Sequence, residues 1–239
     1  CNANHAQDLP TMSQVAAGDW SNYQGKILRI NLDGSIPDDN PQLNGVRSHV
    51  FSYGHRNPLG LVAGPKGEIY ESEHGPNTDD EVNLIEGGRN YGWPNVAGYR
   101  DNKSYVYANW SASKPAPCQS LPPGNAVPAS VPTQTEMSWN NERFAHPLRT
   151  FFTVDNGFKG QGIGSSTMAP GGIDIYMSGA IPGWRISLLA LSLIRGVVYR
   201  LPLAADGRSV VNPPVELFPT ANRYRDIALN PDGVTFYIA

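Results

Sequence analysis

The sequence predicts an all-β protein, and three observations support this class. Glycine and proline are frequent, with 25 and 21 residues, and they are spread along the 239 residues, as is typical of many short strands joined by turns. Charged residues make up 16% of the chain, below the ~25% of an average soluble domain, so neither a disordered chain nor a coiled coil is indicated. A strand–turn–strand pattern also occurs twice along the chain.

Strand-like segments follow one another in order. The clearest early one spans residues 26–32, where apolar and polar residues roughly alternate before the turn at Asp33-Gly34. Further strands are predicted at 46–53, 59–63, 68–71, 148–154, 173–177, 186–193, 197–203, 227–229 and 235–238. Irregular structure is predicted for residues 1–22, for most of the proline-rich stretch 102–136 and for the glycine-rich loop 156–166.

The internal repeat pairs residues 25–34 with 196–207, and residues 56–70 with 223–237. The two segments are similarly spaced in each copy, which indicates repeated four-stranded units. Radial repetition of such units is the β-propeller fold, which protects the edges of its sheets. Because a blade takes ~40–50 residues, this chain holds about five blades at most. We therefore predict a single domain over residues 1–239, a partial β-propeller that is incomplete at both ends.

The net charge and the lengths of the apolar runs argue against nucleic-acid binding and against a membrane-spanning segment. The net charge is −3, so the sequence lacks the basic footprint of a nucleic-acid-binding protein. No apolar run approaches the ~18 residues that would suggest a membrane span. Cys1 and Cys118 are the two cysteines, and the sequence leaves open whether they pair.

Between Tyr53 and Asp101, arginine, asparagine, histidine and several carboxylates lie in loops at the ends of predicted strands. Binding and catalytic residues are often found in such loops, which a rigid scaffold holds in place. Residues 79–81 are all acidic, and together with Asp101 and Glu136 they predict a calcium site, because Ca²⁺ takes about six to eight carboxylate and carbonyl oxygens. A solvated acidic loop is the alternative. Arg223 and Arg225 are predicted to alternate along a strand, so they would point to one face and favour an anionic ligand.

Five motifs in this order resemble the soluble quinoprotein glucose dehydrogenase family, also called glucose/sorbosone or aldose sugar dehydrogenases. They are YGHRNP at 53–58, SEHGPN at 72–77, DDE at 79–81, NYGWP at 90–94 and NRYRD at 222–226. The resemblance runs from about residue 5 to residue 239. It implies a six-bladed β-propeller, of which this chain holds roughly the later blades, and it implies pyrroloquinoline quinone (PQQ) and Ca²⁺ as cofactors.

The resemblance also implies roles for individual residues. Arg56 matches a catalytic arginine beside the quinone oxygens, and the carbonyls of Gly75 and Pro76 match those that hold the calcium ion on the quinone. The cofactor-binding positions are Arg56, Asn57, Thr167, Arg223 and Arg225. A second, structural calcium site matches Glu81, Tyr91, Ala97, Tyr99, Asp101 and Glu136, where Tyr91, Ala97 and Tyr99 would contribute backbone carbonyls.

The sequence departs from the family in several places. The general base of the family is a histidine upstream of the matched region, nothing in residues 1–24 corresponds to it, and His5 is not a substitute. Ile194 stands where glucose-oxidising members have a lysine for the cofactor carboxylates. Ser165 stands where they have a tryptophan near the sugar, and His74 where some have glutamine. We therefore expect this chain not to turn over substrate alone.

The resemblance implies oxidation of an aldose at C1 to the lactone, with hydride transfer to the quinone and then reduction of an external electron acceptor. It also implies periplasmic or secreted residence, and a homodimer is compatible with it. The alternative hypothesis is a non-catalytic, calcium-stabilised propeller that binds a protein or glycan partner. Ile194, Ser165 and the missing base favour that alternative.

Overall fold

The computed structural model describes residues 3–114, 117–121, 127–158 and 165–239. Over these residues the protein is almost entirely β-structure, with one short helix, α1 (Met12–Ala17), and 3₁₀ turns at Trp110–Ala112, Cys118–Ser120 and Glu136–Ser138. The strands are β1 (Lys26–Leu28), β2 (Gln42–Leu43), β3 (Val46–Arg47), β4 (Val50–Tyr53), β5 (Pro58–Ala63), β6 (Ile69–Glu73), β7 (Asp80–Ile85), β8 (Val106–Ala108), β9 (Thr133–Thr135), β10 (Arg149–Phe151), β11 (Pro170–Tyr176), β12 (Ser187–Ser192), β13 (Val198–Pro202), β14 (Val215–Leu217), β15 (Ile227–Leu229) and β16 (Phe236–Ile238).

The chain divides into two compact units. The first comprises Cys1–His55 and Gly87–Ala145, and the second comprises Arg56–Glu86 and His146–Ala239. Among the described residues, no helix has the length and hydropathy that a membrane-crossing segment needs.

The first unit is built from three two-stranded antiparallel sheets, which pair β1 with β4, β2 with β3 and β8 with β9. Its core is a small cluster around Leu43, Val50 and Tyr53. The strands β8 and β9 lie near the two ends of the proline-rich stretch, for most of which irregular structure was predicted, and neither strand was predicted. In the sequence they flank the six prolines of that stretch, and they pair Val106 with Thr135. Residues 115–116 and 122–126 of that stretch lie outside the described residues.

Helix α1 corrects the prediction that residues 1–22 are irregular. The side chain of Thr11 accepts a hydrogen bond from the backbone N of Gln14 at 3.3 Å, and the side chain of Gln14 accepts one from the backbone N of Thr11 at 2.9 Å. This reciprocal arrangement is a capping box, and the Thr-x-x-Gln spacing is its sequence signal. Gly18 ends the helix in the left-handed conformation, with a φ of 64°.

The second unit contains two four-stranded antiparallel sheets, in the orders β10-β7-β6-β5 and β11-β12-β13-β14, and the hairpin β15-β16. All six residues of β12 are buried. The largest apolar cluster includes Tyr70, Phe151 and Leu201, and a second cluster includes Tyr176 and Ile227. Each strand predicted here is present to within a few residues, while β7 and β14 were not predicted.

The strand β7 overturns the interpretation of residues 79–81 as a solvated acidic loop. Asp80 and Glu81 are the first two residues of β7, and Asp79, Asp80 and Glu81 are all buried. Acidic residues are seldom fully buried, which is why the sequence pattern indicated a loop. Hydrogen bonds to distant loops compensate for the burial of Asp80.

Candidate functional site

The candidate site of the second unit lies where three strands begin. A Cβ added to Gly60, near the start of β5, would come within 3.0 Å of the carbonyl oxygen of Gly171, near the start of β11. The backbone N of Gly172 in turn donates to the carbonyl of Arg225, just before β15, at 2.7 Å. Glycine at residues 60 and 171 therefore permits the backbones at the starts of β5, β11 and β15 to approach closely. Each strand is preceded by residues that the resemblance singles out, namely Arg56 and Asn57, Thr167, and Arg223 and Arg225.

A buried carboxylate holds the first of these segments. Glu73, the last residue of β6, accepts hydrogen bonds at Oε2 from the backbone N of Arg56 at 2.7 Å and of Asn57 at 3.1 Å. The side chains of both residues are exposed, and the guanidinium of Arg56 donates to the carbonyl of His74 at 3.1 Å. Glu73 thus fixes the backbone while leaving the two polar side chains on the surface.

Asp80 ties two further loops together. Its Oδ1 accepts from the backbone N of Gly75 at 3.0 Å. Its Oδ2 accepts from the backbone N of Met168 at 2.7 Å, from that of Ala169 at 3.1 Å, and from the hydroxyl of Thr167. One fully buried carboxylate therefore positions both Gly75 and Thr167. It is satisfied by several donors, which is what a buried charge requires.

The donor chemistry at Gly75 and Pro76 fits a hard cation. Among the described residues, no group donates a hydrogen bond to the carbonyl oxygen of either residue, and both are half-buried. A Cβ at Gly75 would lie 1.8 Å from the carbonyl oxygen of Thr78, so no side chain fits there. Carbonyl oxygens that are not used in a ladder are ligands that Ca²⁺ accepts.

Arg223 and Arg225 lie in the extended segment before β15, and not within a strand as predicted. Both side chains are exposed, whereas Tyr224 between them packs against the second apolar cluster. Neither guanidinium has a hydrogen-bond or ion-pair partner in the part of the chain that the structure describes. Two unpaired arginines separated by one residue form a suitable binding site for carboxylates.

The turn between β12 and β13 contacts the same region. The backbone N of Ile194 donates to the carbonyl of Met168 at 3.3 Å, and the Ile194 side chain is 44% exposed. Arg195 donates from Nε to the carbonyl of Thr167 and from Nη2 to that of Ser165, both at 3.1 Å, and it stacks over Phe152. Arg195 therefore holds the segment that carries Thr167, while Ile194 presents an apolar side chain.

The imidazole of His74 is also in this region and is half-buried. Burial lowers its pKa, Asp80 opposes that effect, and Arg56 adds to it. His74 is therefore disposed to be neutral at neutral pH.

The other predicted calcium ligands are in the first unit, apart from Glu81. Glu136 is fully buried, and its two carboxylate oxygens accept from the backbone N of Ala97 at 2.9 Å and of Asn102 at 2.8 Å. The loop that contains Ala97, Tyr99 and Asp101 is thereby wrapped around this carboxylate. Tyr91 is buried just before it. Glu81 lies in the second unit, on β7, and accepts from Asn83 Nδ2 at 3.0 Å.

Two other residues considered from the sequence are in the first unit. His5 is exposed, and its Nδ1 lies 2.8 Å from the Asp8 carboxylate, so the two residues form a pair on the surface. Cys118 is disulfide-bonded, while Cys1 lies outside the described residues.

Comparison with known proteins identifies the family. The model of the glucose/sorbosone dehydrogenase family matches residues 7–148. The chain belongs to this family. It is 44% identical over 246 residues to quinoprotein glucose dehydrogenase B of Acinetobacter calcoaceticus, an alignment that covers 98% of this chain and 52% of that protein. The chain thus spans about half the length of this curated relative.

Solved structures agree with the family assignment. A crystal structure of a glucose dehydrogenase is similar with a TM-score of 0.63 and 29% identity, covering 93% of this chain and 53% of that one. The PQQ-bound form of an aldose sugar dehydrogenase from Streptomyces coelicolor is similar with a TM-score of 0.56 and 26% identity, covering 89% and 45%.

Three positioning residues of this glucose/sorbosone dehydrogenase family member were not predicted from its sequence, namely Glu73, Asp80 and Arg195. Glu73 belongs to the SEHGPN motif and Asp80 to the DDE motif, but neither motif indicates that the carboxylate accepts hydrogen bonds from backbone N–H groups. The sequence does contain a partial indication for Asp80. An acidic residue next to apolar strand residues such as Val82 would be buried, and a buried carboxylate needs hydrogen-bond donors. Arg195 carried no such signal.

Proposed function

We propose that the protein containing this chain is a PQQ-dependent sugar dehydrogenase that oxidises an aldose at C1 to the lactone. In this proposal the chain supplies the residues that bind the cofactor and its cation. The observation that carries the proposal is the convergence of three strand starts, which bear Arg56, Thr167 and Arg225, on one region of the second unit. The family membership supports it.

We further propose a six-bladed β-propeller as the complete fold. Two successive four-stranded antiparallel sheets support this, because each begins with the strand that approaches its neighbour sheet, β5 in the first and β11 in the second. The hairpin β15-β16 would begin the next blade. Such an order, with the first strand of each blade innermost, is the arrangement that radial repetition requires.

The side chains around the site suit a bound quinone with several carboxylates. When bound, PQQ would supply the hydride acceptor for the sugar, and calcium would strengthen this capacity by polarising a carbonyl group. Arg223 and Arg225 bind the carboxylates through their guanidinium groups. Arg56 contributes fixed positive charge near the quinone oxygens, where negative charge develops. Asn57 and Thr167 add hydrogen bonds.

Two calcium sites belong to this proposal. The carbonyls of Gly75 and Pro76 hold the ion next to the cofactor. In the first unit, Glu136 and Asp101 together with the carbonyls of Tyr91, Ala97 and Tyr99 hold a structural ion. The participation of Glu81, which lies in the second unit, stays a prediction from the resemblance.

The departures from the family limit the proposal in two ways. Ile194 cannot supply the positive charge of a lysine, so affinity for the cofactor carboxylates rests on Arg223 and Arg225. Ser165 cannot supply the aromatic surface of a tryptophan beside the sugar. An external electron acceptor, a periplasmic or secreted location and a homodimer are further parts of the proposal that follow from the resemblance.

The decisive experiment measures calcium-dependent binding of PQQ by its absorbance, using the full-length protein that contains this chain. Replacing both Arg223 and Arg225 by Ala removes two charge-assisted contacts, so we expect affinity to fall about 10- to 100-fold. The matched control is Arg185→Ala, because Arg185 is an exposed arginine of the same unit that precedes β12 and is not part of the site.

The outcome also distinguishes a PQQ-dependent dehydrogenase from a non-catalytic propeller. Loss of binding in the double variant, with the control unchanged, supports the dehydrogenase. If the full-length protein does not bind PQQ while Ca²⁺ still raises its melting temperature, the non-catalytic, calcium-stabilised propeller is the better hypothesis.

A further inference from the structure

A cavity in the first unit has no role in the proposed function. It has a volume of about 330 Å³, and its wall is formed by Trp93-Pro94, by the chain from Tyr105 to Ser111, and by Asn4. This volume is at the lower end of the roughly 300–1,000 Å³ of small-molecule sites.

The lining combines aromatic rings with uncharged polar groups. Four half-buried aromatic side chains line the cavity: Trp93, Tyr105, Tyr107 and Trp110. No acidic or basic residue lines it among the described residues. Burial and, to a smaller extent, nearby Asp8 raise the pKa of Tyr107, so its phenol stays neutral. The occupant that complements such a lining is itself uncharged.

Two amide groups at the rim keep donors available. The Oδ1 of Asn4 accepts from the backbone N of Ala6 at 2.9 Å, and the Oδ1 of Asn109 accepts from the hydroxyl of Ser111 at 2.8 Å. Neither Nδ2 atom has a hydrogen-bond partner within the part of the chain that the structure describes. These N–H groups are therefore available for the oxygens of a ligand.

The aromatic wall is held in place before any ligand binds. The backbone N of Trp93 donates to the carbonyl of Gly54 at 2.9 Å, and the side chain of Gln7 donates to the carbonyl of Trp93 at 2.7 Å. The hydroxyl of Tyr105 donates to the carbonyl of Pro94 at 2.5 Å, and the Trp93 and Tyr105 rings lie 5.7 Å apart. Rigid aromatic surfaces bind at a low cost in conformational entropy.

We propose that this cavity binds a neutral oligosaccharide. One face of a pyranose ring is made of C–H bonds, which carry partial positive charge and pack against the negative face of an aromatic ring. The hydroxyl oxygens at the edge of the sugar accept from Asn4 and Asn109. The proposal does not depend on the dehydrogenase activity, because it concerns a different set of residues.

Other ligand classes fit less well. Single-stranded nucleic acid also stacks on aromatic side chains, but it needs a positively charged groove for its backbone, and this cavity has none among its described lining residues. A purely apolar ligand would leave the amide donors of Asn4 and Asn109 buried without a partner, which is costly.

The test is isothermal titration calorimetry of the full-length protein, free of PQQ, with maltotetraose, cellotetraose and mannotetraose. Trp110→Ala removes one stacking surface, and we expect it to weaken binding about tenfold. Trp110→Phe keeps an aromatic face and should restore most of the affinity. Trp20→Ala is the matched control, because Trp20 is a 49% exposed tryptophan of the same unit that stacks on His49 outside the cavity.

Electrophoresis in gels that contain the corresponding neutral polysaccharide distinguishes the source of the ligand. Retardation that Trp110→Ala abolishes identifies an internal segment of a polysaccharide, and tetrasaccharide binding without retardation identifies a free oligosaccharide. The proposal is overturned if none of the three tetrasaccharides binds at concentrations up to about 10 mM. It is equally overturned if Trp110→Ala binds as well as Trp20→Ala, or if only a single-stranded oligonucleotide binds.

Discussion

Gly75 is a residue whose backbone position leaves no space for a side chain. It follows β6, its N–H is bonded to Asp80, and a Cβ there would meet the carbonyl oxygens of Thr78 and Asp79 at 1.8 and 2.6 Å. These neighbours are backbone atoms, so they cannot move aside as the end of a side chain would. A substitution must therefore shift the loop that carries the two proposed calcium-binding carbonyls.

We predict that Gly75→Ala destabilises the protein by about 2 kcal/mol, as overpacking of a fixed site does. Urea unfolding measures this, and a calcium titration should show weaker binding. The matched control is Gly179→Ala, because Gly179 is exposed and its added Cβ would meet nothing within 4 Å. Equal stability of the two variants would contradict the predicted clash.

Glu71 is a fully buried acid that lies among other acids. Its Oε2 accepts from Asn83 Nδ2 at 3.0 Å, while its Oε1 has no hydrogen-bond partner among the described residues. Burial raises its pKa well above 4.5, the charge of Glu73 raises it further, and the bond from Asn83 opposes both. The carboxyl group of Glu71 therefore ionises at a lower pH in the unfolded chain than in the folded protein. As the pH rises above about 4.5, this difference lowers the free energy of unfolding.

We predict that Glu71→Gln stabilises the protein by about 1–3 kcal/mol near pH 7, because an amide of the same shape carries no ionisation penalty. The gain should shrink towards pH 4, where the unfolded chain also holds its proton. Urea unfolding at several pH values measures the effect, and Glu142→Gln, at an exposed position, is the control. A gain that did not vary with pH would refute this explanation.

At the scale of elements, β7 connects the loops of the candidate site. Its first residue, Asp80, accepts hydrogen bonds from Gly75 on one side and from Thr167, Met168 and Ala169 on the other. Only a group that accepts at both of its oxygens can serve both loops. The acidic start of β7 is therefore a structural requirement of the site.

We predict that Asp80→Asn costs about 3 kcal/mol of stability, because one amide NH₂ would then face N–H donors and leave them unsatisfied. Thermal unfolding measures the loss, and affinity for Ca²⁺ should fall with it. Asp206→Asn is the control, because Asp206 is exposed and, within the described ranges of the chain, accepts only a local hydrogen bond, from the backbone N of Arg208 at 2.9 Å. Similar melting temperatures for both variants would count against the role of Asp80.

At the scale of the whole molecule, the depth of burial differs strongly between sheets. The strand β12 is buried along its full length and is paired on both sides, with β11 and β13. By contrast, β2 and β3 form a hairpin of two residues per strand. An isolated two-stranded sheet is marginally stable in water, so the two regions should open with very different free energies.

We predict that amides of β12 exchange with solvent only through global unfolding, with an opening free energy of about 5–15 kcal/mol, while those of β2 and β3 exchange far faster. Hydrogen exchange followed by mass spectrometry resolves the two peptides. Comparable exchange rates in β12 and β2 would show that burial does not set the order of opening.

Much of the fold was predictable from the sequence, because most strands of this protein are marked by turn residues at their ends and by alternating apolar residues. The strand–turn–strand repeat at 56–70 and 223–237 corresponds to the hairpins β5-β6 and β15-β16, in which Ala63 pairs with Ile69 and Leu229 with Phe236. Turn residues and apolar alternation were sufficient signals there. They failed at β7, where acidic residues are buried, and at β8 and β9, which pair with each other although a proline-rich stretch separates them in the sequence.

The sequence by itself determined the all-β class, the family and the motifs that contain Arg56, Gly75 and Arg223, since these depend on the order of residues along the chain. Only the tertiary structure decided how they are held. Asp80 and Met168 are separated by 88 positions, yet their hydrogen bond helps to form the site. Whether a buried carboxylate is satisfied depends on donors brought from distant segments, and the local sequence pattern contains no information about them.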